Sequence, residues 1–329
     1  MRILLVKTSS LGDVVHNLPV ASDLARRFPD AAIDWVVEES FADLPRLHPA
    51  IARVLPVAVR RWRRRLLSRA TWTQIGAARD ALREHAYDLV LDTQGLLKSG
   101  LIAAQARLAP GGRRCGYDRD SAREAVAARF YDAGFAIPRQ LHAVERNRRL
   151  AAAASGHALD MTLDYGIAAR PLAAGWLPHR DYAVLLTATS RADKLWPDPD
   201  WQALGMALIA TGLTCVLPGG SGEERQRAAR LATTLGRAVA TPPLGLADMA
   251  GLLAGAQLVV GVDTGLVHLA AALGRPTLAL FCASDPALTG VHAGPQAINL
   301  GKRGTAPTAG AVVAAALELI ACGAVAELD

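Results

Sequence analysis

Short, largely apolar runs, each followed by a polar loop and a helical pattern, recur along this chain of 329 residues. They admit few folds. A strand with one wet face alternates apolar and polar residues, whereas residues 3–6 leave no polar face and suit a strand covered on both sides, as in a parallel sheet. Residues 33–37, 54–59 and 87–91 read as further strands in the first half, and residues 183–186, 214–217, 258–262 and 277–281 in the second. Helical patterns at 14–27, 72–85, 96–108 and 142–154 separate the first set, and patterns at 200–210, 223–235, 246–254 and 266–273 the second. In the first half, Pro110-Gly111-Gly112 reads as a turn before a short edge strand at 114–117, and the pattern is helical again from Arg123. Strand–helix–strand units with short connections give parallel sheets with right-handed crossovers. The stretch 156–181 holds Gly166, Pro171, Gly175 and Pro178 and reads as a linker. The chain is therefore α/β, with two doubly wound, Rossmann-like domains, 1–165 and 166–329, expected to face each other across a cleft. An alanine-rich helix at 309–326 closes the chain and is expected to pack, with the N-terminal domain as one available surface.

Composition narrows the partners. The formal net charge is +6 and the isoelectric point near 9.4, which favours an acidic partner: nucleic acid, an anionic membrane or a phosphorylated substrate. Aromatic residues make up only 5%, and no helix-turn-helix, RRM or zinc-finger pattern occurs, so sequence-specific nucleic-acid binding is not supported. Cys115, Cys215, Cys282 and Cys322 lie far apart with no C-x-x-C or His-rich context. That argues against a disulfide framework or a zinc site and fits a reducing cytoplasm. The N-terminal apolar run is too short for a secretory signal, and residues 309–326 carry Glu318 amid Ala and Gly, so no transmembrane segment is expected.

Chemistry gathers at strand ends. Lys7-Thr8-Ser9-Ser10-Leu11-Gly12-Asp13 puts one cation, three hydroxyls and one carboxylate into seven residues after the first strand, where open α/β sheets bind ligands. A dinucleotide fingerprint needs three glycines, and only Gly12 is present. Asp13 fits a helix N-cap, or a general base for an acceptor hydroxyl, and the two roles are compatible. In the second half, Asp263 or Thr264 occupies an N-cap position, so the N–H groups of Gly265 and Leu266 form either an anion cradle or an ordinary strand–cap–helix junction. Gly219-Gly220-Ser221-Gly222 leads to Glu223 and Glu224, either able to accept ribose hydroxyls, and Lys194 is placed to pair with a phosphate. Asp198-Pro199-Asp200 matches an Asp-x-Asp metal pattern but reads better as a helix start with an acidic first turn. Arg60, Arg61, Arg63, Arg64 and Arg65 surround Trp62. Such a run is either a solvated face or the seat of an anionic partner suited to the planar guanidinium. His16 and His268 read as helix residues satisfied locally or as ligand-contacting donors.

Six segments, in order, resemble one known family over essentially the whole chain: KTSSLGDVVHNLP, PVAVRRWRRR, DTQGLLKSG, HAVERNRRL, TATSRADKLWP and GVDTGLVHLAAALGRPTLALF. They are similar to the lipopolysaccharide heptosyltransferases, above all the branch that adds the first heptose of the inner core, heptosyltransferase I. The resemblance implies an inverting GT-B glycosyltransferase, with the nucleotide sugar held mainly by the C-terminal domain. It places Asp13 as catalytic base, and Lys7, Ser10, Gly12, Arg60, Arg61, Arg63, Arg64 and Arg123 on the acceptor side. It places Thr189, Ser190 and Lys194 at the donor phosphates, Asp263, Thr264, Gly265, Leu266 and His268 in the donor motif, and Glu223 or Glu224 at the ribose. Thr189-Ser190 departs conservatively from a Thr pair in the family. The implied substrates are ADP-heptose and Kdo2-lipid A, with no cofactor or metal required. The implied location is the cytoplasmic face of the inner membrane, held peripherally. Three alternatives stand beside this reading: heptosyltransferase II, with a heptose acceptor, which the arginine run disfavours; a nicotinamide dehydrogenase, which lacks its fingerprint; and a basic nucleotide-binding protein without transferase activity.

Overall fold

The structure is a computed structural model that describes residues 1–159, 161–178 and 181–326. The chain divides into two compact units, Met1–Ile167 and Ala168–Asp329. The division falls inside the Gly- and Pro-bearing stretch read as a linker; Asp160, His179 and Arg180 of that stretch lie outside the described residues.

In the N-terminal unit, β1 (Arg2–Val6), β2 (Ala32–Glu38), β3 (Ile51–Val57), β4 (Ala86–Asp92), β5 (Arg107–Tyr117) and β6 (Ala133–Phe135) form one sheet in the order β3-β2-β1-β4-β5-β6, parallel throughout. The wholly apolar run of β1 sits at its centre, and Ile3, Leu4, Leu5 and Val6 are all fully buried. Burying each such side chain contributes about 1.5–3 kcal/mol. The C-terminal unit repeats the plan. Its strands β7 (Tyr182–Leu186), β8 (Thr214–Leu217), β9 (Ala238–Ala240), β10 (Leu258–Val262), β11 (Thr277–Phe281) and β12 (Ala297–Gly301) run in the order β12-β11-β10-β7-β8-β9. Counted within its own unit, each sheet reads 3-2-1-4-5-6, the doubly wound order in which ligands bind beyond the carboxyl ends of the first and fourth strands. The loops after β1 and β4, and after β7 and β10, are the places that topology selects.

Several elements differ from the sequence reading. The helix expected at 14–27 is two helices, Leu11–Val15 and Leu18–Arg27, with Pro19 in the first turn of the second, where its missing N–H has no partner to lose. The strand expected at 54–59 ends at Val57, and a helical turn, Val59–Trp62, follows. β5 runs through the expected Pro110-Gly111-Gly112 turn, and its pairing with β4 absorbs the extra residues in a register shift between Tyr87 and Leu89. Gly112 is required there, because a Cβ would stand 2.4 Å from the Tyr87 carbonyl oxygen. β5 is also not an edge strand, since β6 pairs outside it. Beyond Arg123 the chain forms a 3-10 helix, Ala125–Phe130, in place of an α-helix. The terminal helix, Ala309–Ala326, buries Val312, Ala316 and Leu319 in the core of its own unit. Asp198 opens the helix Asp198–Ala210, and its carboxylate is bonded at 2.8 Å by Arg227 Nε, as a helix start and not a vacant metal ligand.

Candidate active site

The loop after β1 is bound to the loop after β4. Gln94 holds the two together: its Oε1 accepts from the N–H of Thr8 at 2.9 Å and of Ser9 at 3.1 Å, and its Nε2 donates to the Ser9 carbonyl at 2.5 Å. Gln94 is in turn fixed by Asp92, whose Oδ1 accepts from the Gln94 N–H at 2.8 Å and whose Oδ2 accepts from the Tyr131 hydroxyl at 2.7 Å. Burial pushes the Asp92 carboxyl up, and these hydrogen bonds work against that shift. Lys7 is 5% exposed and donates to the Thr93 carbonyl at 2.7 Å and to Asn147 Oδ1 at 3.3 Å. Burial disfavours its charged form and brings the ammonium down to about 8, against the opposing pull of Asp13.

Ser10 is the N-cap of the helix Leu11–Val15, and Asp13 stands three residues on as its capping-box partner. The N-cap reading of Asp13 is thus moved by three positions. Asp13 Oδ2 accepts from the Ser10 N–H at 2.8 Å, from the Ser10 hydroxyl at 3.2 Å and from Arg123 Nη1 at 3.4 Å. Burial opposes ionisation, but the charges of Lys7 and Arg123 and the Ser10 hydrogen bonds outweigh it and hold the carboxyl below its usual range. All of these hydrogen bonds fall on Oδ2, and Oδ1 carries none among the described residues.

The arginine run borders this loop through β2, whose Glu38 N–H donates to the Thr8 carbonyl at 3.0 Å. A cavity of about 440 Å³ is lined by Glu38, Glu39, Ser40, Arg60, Arg61, Arg64 and Arg65. The arginines are not equivalent. Arg61 is tied by two bonds, of 2.9 and 2.8 Å, to the Glu39 carboxylate, and Arg60 lies 5.3 Å over the Phe41 ring. Arg63 and Arg64 are exposed and without an ion pair among the described residues. Sequence reasoning assigned no role to Gln94, Lys98 or Asn147. Lys98 donates to the Ser9 hydroxyl at 2.6 Å, and burial lowers its ammonium. The position of DTQGLLKSG just beyond the fourth strand was the signal available.

In the C-terminal unit the loops after β7 and β10 meet in the same way. Thr189 Oγ1 donates to the Asp263 carbonyl at 3.0 Å, and Lys194 Nζ donates to Asp263 Oδ2 at 2.6 Å. The Ser284 hydroxyl also bonds Oδ2, a residue missed from sequence, and His268 Nε2 stands 3.9 Å from Oδ1. Burial opposes ionisation of Asp263, and the His268, Lys194 and Ser284 contacts reverse that and hold the carboxyl well below the usual range. Thr264 is the N-cap of the helix Gly265–Ala272, which settles the choice between Asp263 and Thr264. The Gly265 and Leu266 N–H groups thus lie in the first turn of a helix, where an anion is favoured. Glu224 closes its own loop, accepting from the N–H of Gly220 at 2.8 Å and of Ser221 at 2.9 Å, while Glu223 and Ser190 are exposed. These three are not gathered around Asp263 by hydrogen bonds.

The pattern of two doubly wound units with polar constellations at the loops after their first and fourth strands has known counterparts. The family model of glycosyltransferase family 9 (heptosyltransferase) matches residues 75–314. Lipopolysaccharide heptosyltransferase 1 of Pseudomonas aeruginosa is 47% identical over 305 residues, covering 92% of this chain and 84% of that protein. The solved structure of Escherichia coli heptosyltransferase WaaC with ADP superposes with a TM-score of 0.89 at 40% identity, covering 97% of this chain and all of that one. The WaaC structure with ADP-2-deoxy-2-fluoro heptose gives a TM-score of 0.83 at 39% identity, covering 97% and 98%. This chain belongs to glycosyltransferase family 9, the heptosyltransferases.

Proposed function

We propose that the enzyme transfers L-glycero-D-manno-heptose from ADP-heptose to a Kdo hydroxyl of Kdo2-lipid A, with inversion at the anomeric carbon. The observation that carries the reading is the Asp13 carboxylate: held below its usual range, braced through Oδ2 by Ser10 and Arg123, and with no hydrogen bond on Oδ1 among the described residues. In a single displacement the acceptor hydroxyl loses its proton to Asp13 as its oxygen attacks the anomeric carbon. The bond from that carbon to the β-phosphate oxygen breaks, and ADP leaves with the electron pair. Lys194 and the N–H groups of Gly265 and Leu266 take up the developing phosphate charge, a task for which no metal is invoked. Glu223 or Glu224 receives the ribose hydroxyls, Glu224 doing so with the oxygen that its loop does not use. Thr189 spends its hydroxyl proton on the Asp263 carbonyl and meets the phosphates only as an oriented neighbour.

Arg60, Arg64 and Arg123 supply the fork geometry that acidic sugar carboxylates and lipid phosphates require. That favours a Kdo acceptor over the neutral heptose used by heptosyltransferase II. The reaction then takes place at the cytoplasmic face of the inner membrane. No helix among the described residues is long and apolar enough to cross a membrane, so contact with the acceptor is made from the surface. The test is ADP release from ADP-heptose with Kdo2-lipid A or with its heptosylated product. Turnover with the first, unchanged by a metal chelator, supports the reading. Turnover with the second alone would assign the type II acceptor, and none with either would leave only nucleotide binding.

A further inference from the structure

Between the helices Val59–Trp62 and Arg69–Arg83 the chain makes an exposed turn with an apolar tip. Leu67 is fully exposed, and Leu66 and Trp72 keep 51% and 59% of their surface. Three large apolar side chains in water within seven residues mark a surface that something covers. The turn is also built to present them. Trp72 Nε1 donates to the Leu66 carbonyl at 2.8 Å, the Arg65 N–H donates to the Trp62 carbonyl at 2.9 Å, and the Ser68 N–H donates to the Arg65 carbonyl at 3.0 Å. A little further along, Trp62 Nε1 and Arg61 Nη1 both donate to Gln74 Oε1, at 3.1 and 2.7 Å, which ties the start of the turn to the following helix.

Charge identifies the occupant. Arg63, Arg64, Arg65 and Arg69 are exposed and make no ion pair among the described residues, whereas neighbouring Arg61 is neutralised by Glu39. A tip of two leucines and a tryptophan ringed by unpaired guanidinium groups suits a negatively charged bilayer surface. The apolar residues sit at the headgroup–acyl boundary, tryptophan prefers that interface, and arginines answer the lipid phosphates. A nucleic acid would leave the leucines uncovered.

We propose that the turn at residues 63–72 docks the enzyme on anionic phospholipid, with Leu66, Leu67 and Trp72 entering the interface and Arg63, Arg64, Arg65 and Arg69 contacting phosphates. The proposal rests on the acceptor being membrane-embedded and adds a lipid contact made without any acceptor.

The test is flotation of the full-length protein with vesicles of phosphatidylethanolamine and phosphatidylglycerol, against phosphatidylcholine alone, with no acceptor present. Wild type should float with the anionic vesicles at low salt and lose binding at high salt. Leu67→Glu, and separately Arg69→Glu, should lower partitioning at least tenfold while transfer to a deacylated, water-soluble acceptor stays within twofold of wild type. Tryptophan emission should shift to the blue on vesicle addition, and Trp72→Phe should remove the shift without removing flotation. Flotation of Leu67→Glu equal to wild type, or no wild-type binding to anionic vesicles, overturns the docking surface. So does loss of a dimer in Leu67→Glu with vesicle binding unchanged, which would make the tip a contact between copies. Absence of transfer to the soluble acceptor by a wild type that floats would instead strike the transferase reading and leave the docking surface standing.

Discussion

Arg123 Nη1 lies 3.4 Å from Asp13 Oδ2, the oxygen that also takes both hydrogen bonds from Ser10, so the hydrogen bonds on this carboxylate gather on one atom; in the proposed reaction the other takes the acceptor proton. Removing the carboxylate removes the proton acceptor. Asp13→Ala should lower kcat by about 10²–10⁴-fold, the range of general-base contributions, with a much smaller change in the affinity for ADP. Steady-state kinetics with a calorimetric ADP titration checks this, and a variant within tenfold of wild type would take Asp13 out of the reaction.

The same pair sets the acid side of the pH profile. Asp13 is held below its usual range in part by Lys7 and Arg123, so activity should persist as pH falls until the carboxylate protonates. Arg123→Ala removes one of the charges that favour ionisation, and the acid limb of kcat/KM should move to higher pH. A limb that stays in place would show that Arg123 binds acceptor without tuning the base.

Lys7 governs the other side. Its ordinary value is 10.5 and burial brings it to about 8, so the folded protein releases this proton at lower pH than the unfolded chain does. Between about 8 and 10.5 the unfolded state therefore binds more protons, and the Lys7 contribution to stability rises with pH across that window. Thermal melts from pH 7.5 to 10.5 should show a rising increment in wild type that Lys7→Met lacks. The rate should move oppositely, declining with an apparent pKa near 8 as the charge that supports Asp13 is lost.

Gln94 is the bracket between the loops after β1 and β4, through three hydrogen bonds to Thr8 and Ser9 backbone groups. Gln94→Ala leaves those buried groups without partners, at about 1–3 kcal/mol for each unsatisfied group and with partial relief from entering water. The melting temperature should fall by several degrees, and kcat should fall more than KM rises, because the residue positions Ser10 and Asp13 without touching substrate. Gln94→Glu keeps the shape but replaces the donor to the Ser9 carbonyl with an acceptor, and should rescue neither.

The two doubly wound domains and the loops after their first and fourth strands were legible because central parallel strands are mostly apolar, and β1, β7, β10 and β11 announce themselves that way. β6, β9 and β12 were not. They are three to five residues long at or near sheet edges and only partly covered, so they carry no continuous apolar signal. At the site, residues adjacent to strand ends in sequence were found: Lys7, Asp13, Lys194 and Asp263. The partners that complete them come from distant segments, Asn147 and Lys98 to the first loop and Ser284 to Asp263, and only the fold brings those together. The arginine run shows the remaining limit, since composition gives its charge but not that Arg61 is already paired with Glu39.

In the C-terminal unit, Lys194 and Asp263 keep 18% and 11% of their side-chain exposure at a separation of 2.6 Å, a partly buried pair whose members have different tasks. Lys194→Ala removes the cation that meets the donor diphosphate, and ADP affinity should fall about 10–100-fold, in line with the loss of one charge-assisted phosphate contact. Asp263→Asn instead leaves Lys194 without its counter-ion and weakens the Ser284 and His268 contacts. Losing one member of a fully buried pair costs about 3–5 kcal/mol, and the residual exposure here reduces that to about 1–3 kcal/mol. Because the Asp263 carboxyl lies well below its usual 3.8, its contribution is present at neutral pH and is lost only as pH falls through that depressed value. Wild type should therefore keep its advantage over Asp263→Asn from pH 7 down to about pH 4 and lose it only in stronger acid. Paired melting curves across that range decide it: a gap that closes already between pH 7 and 5 would mean that Asp263 is not held by Lys194 in solution.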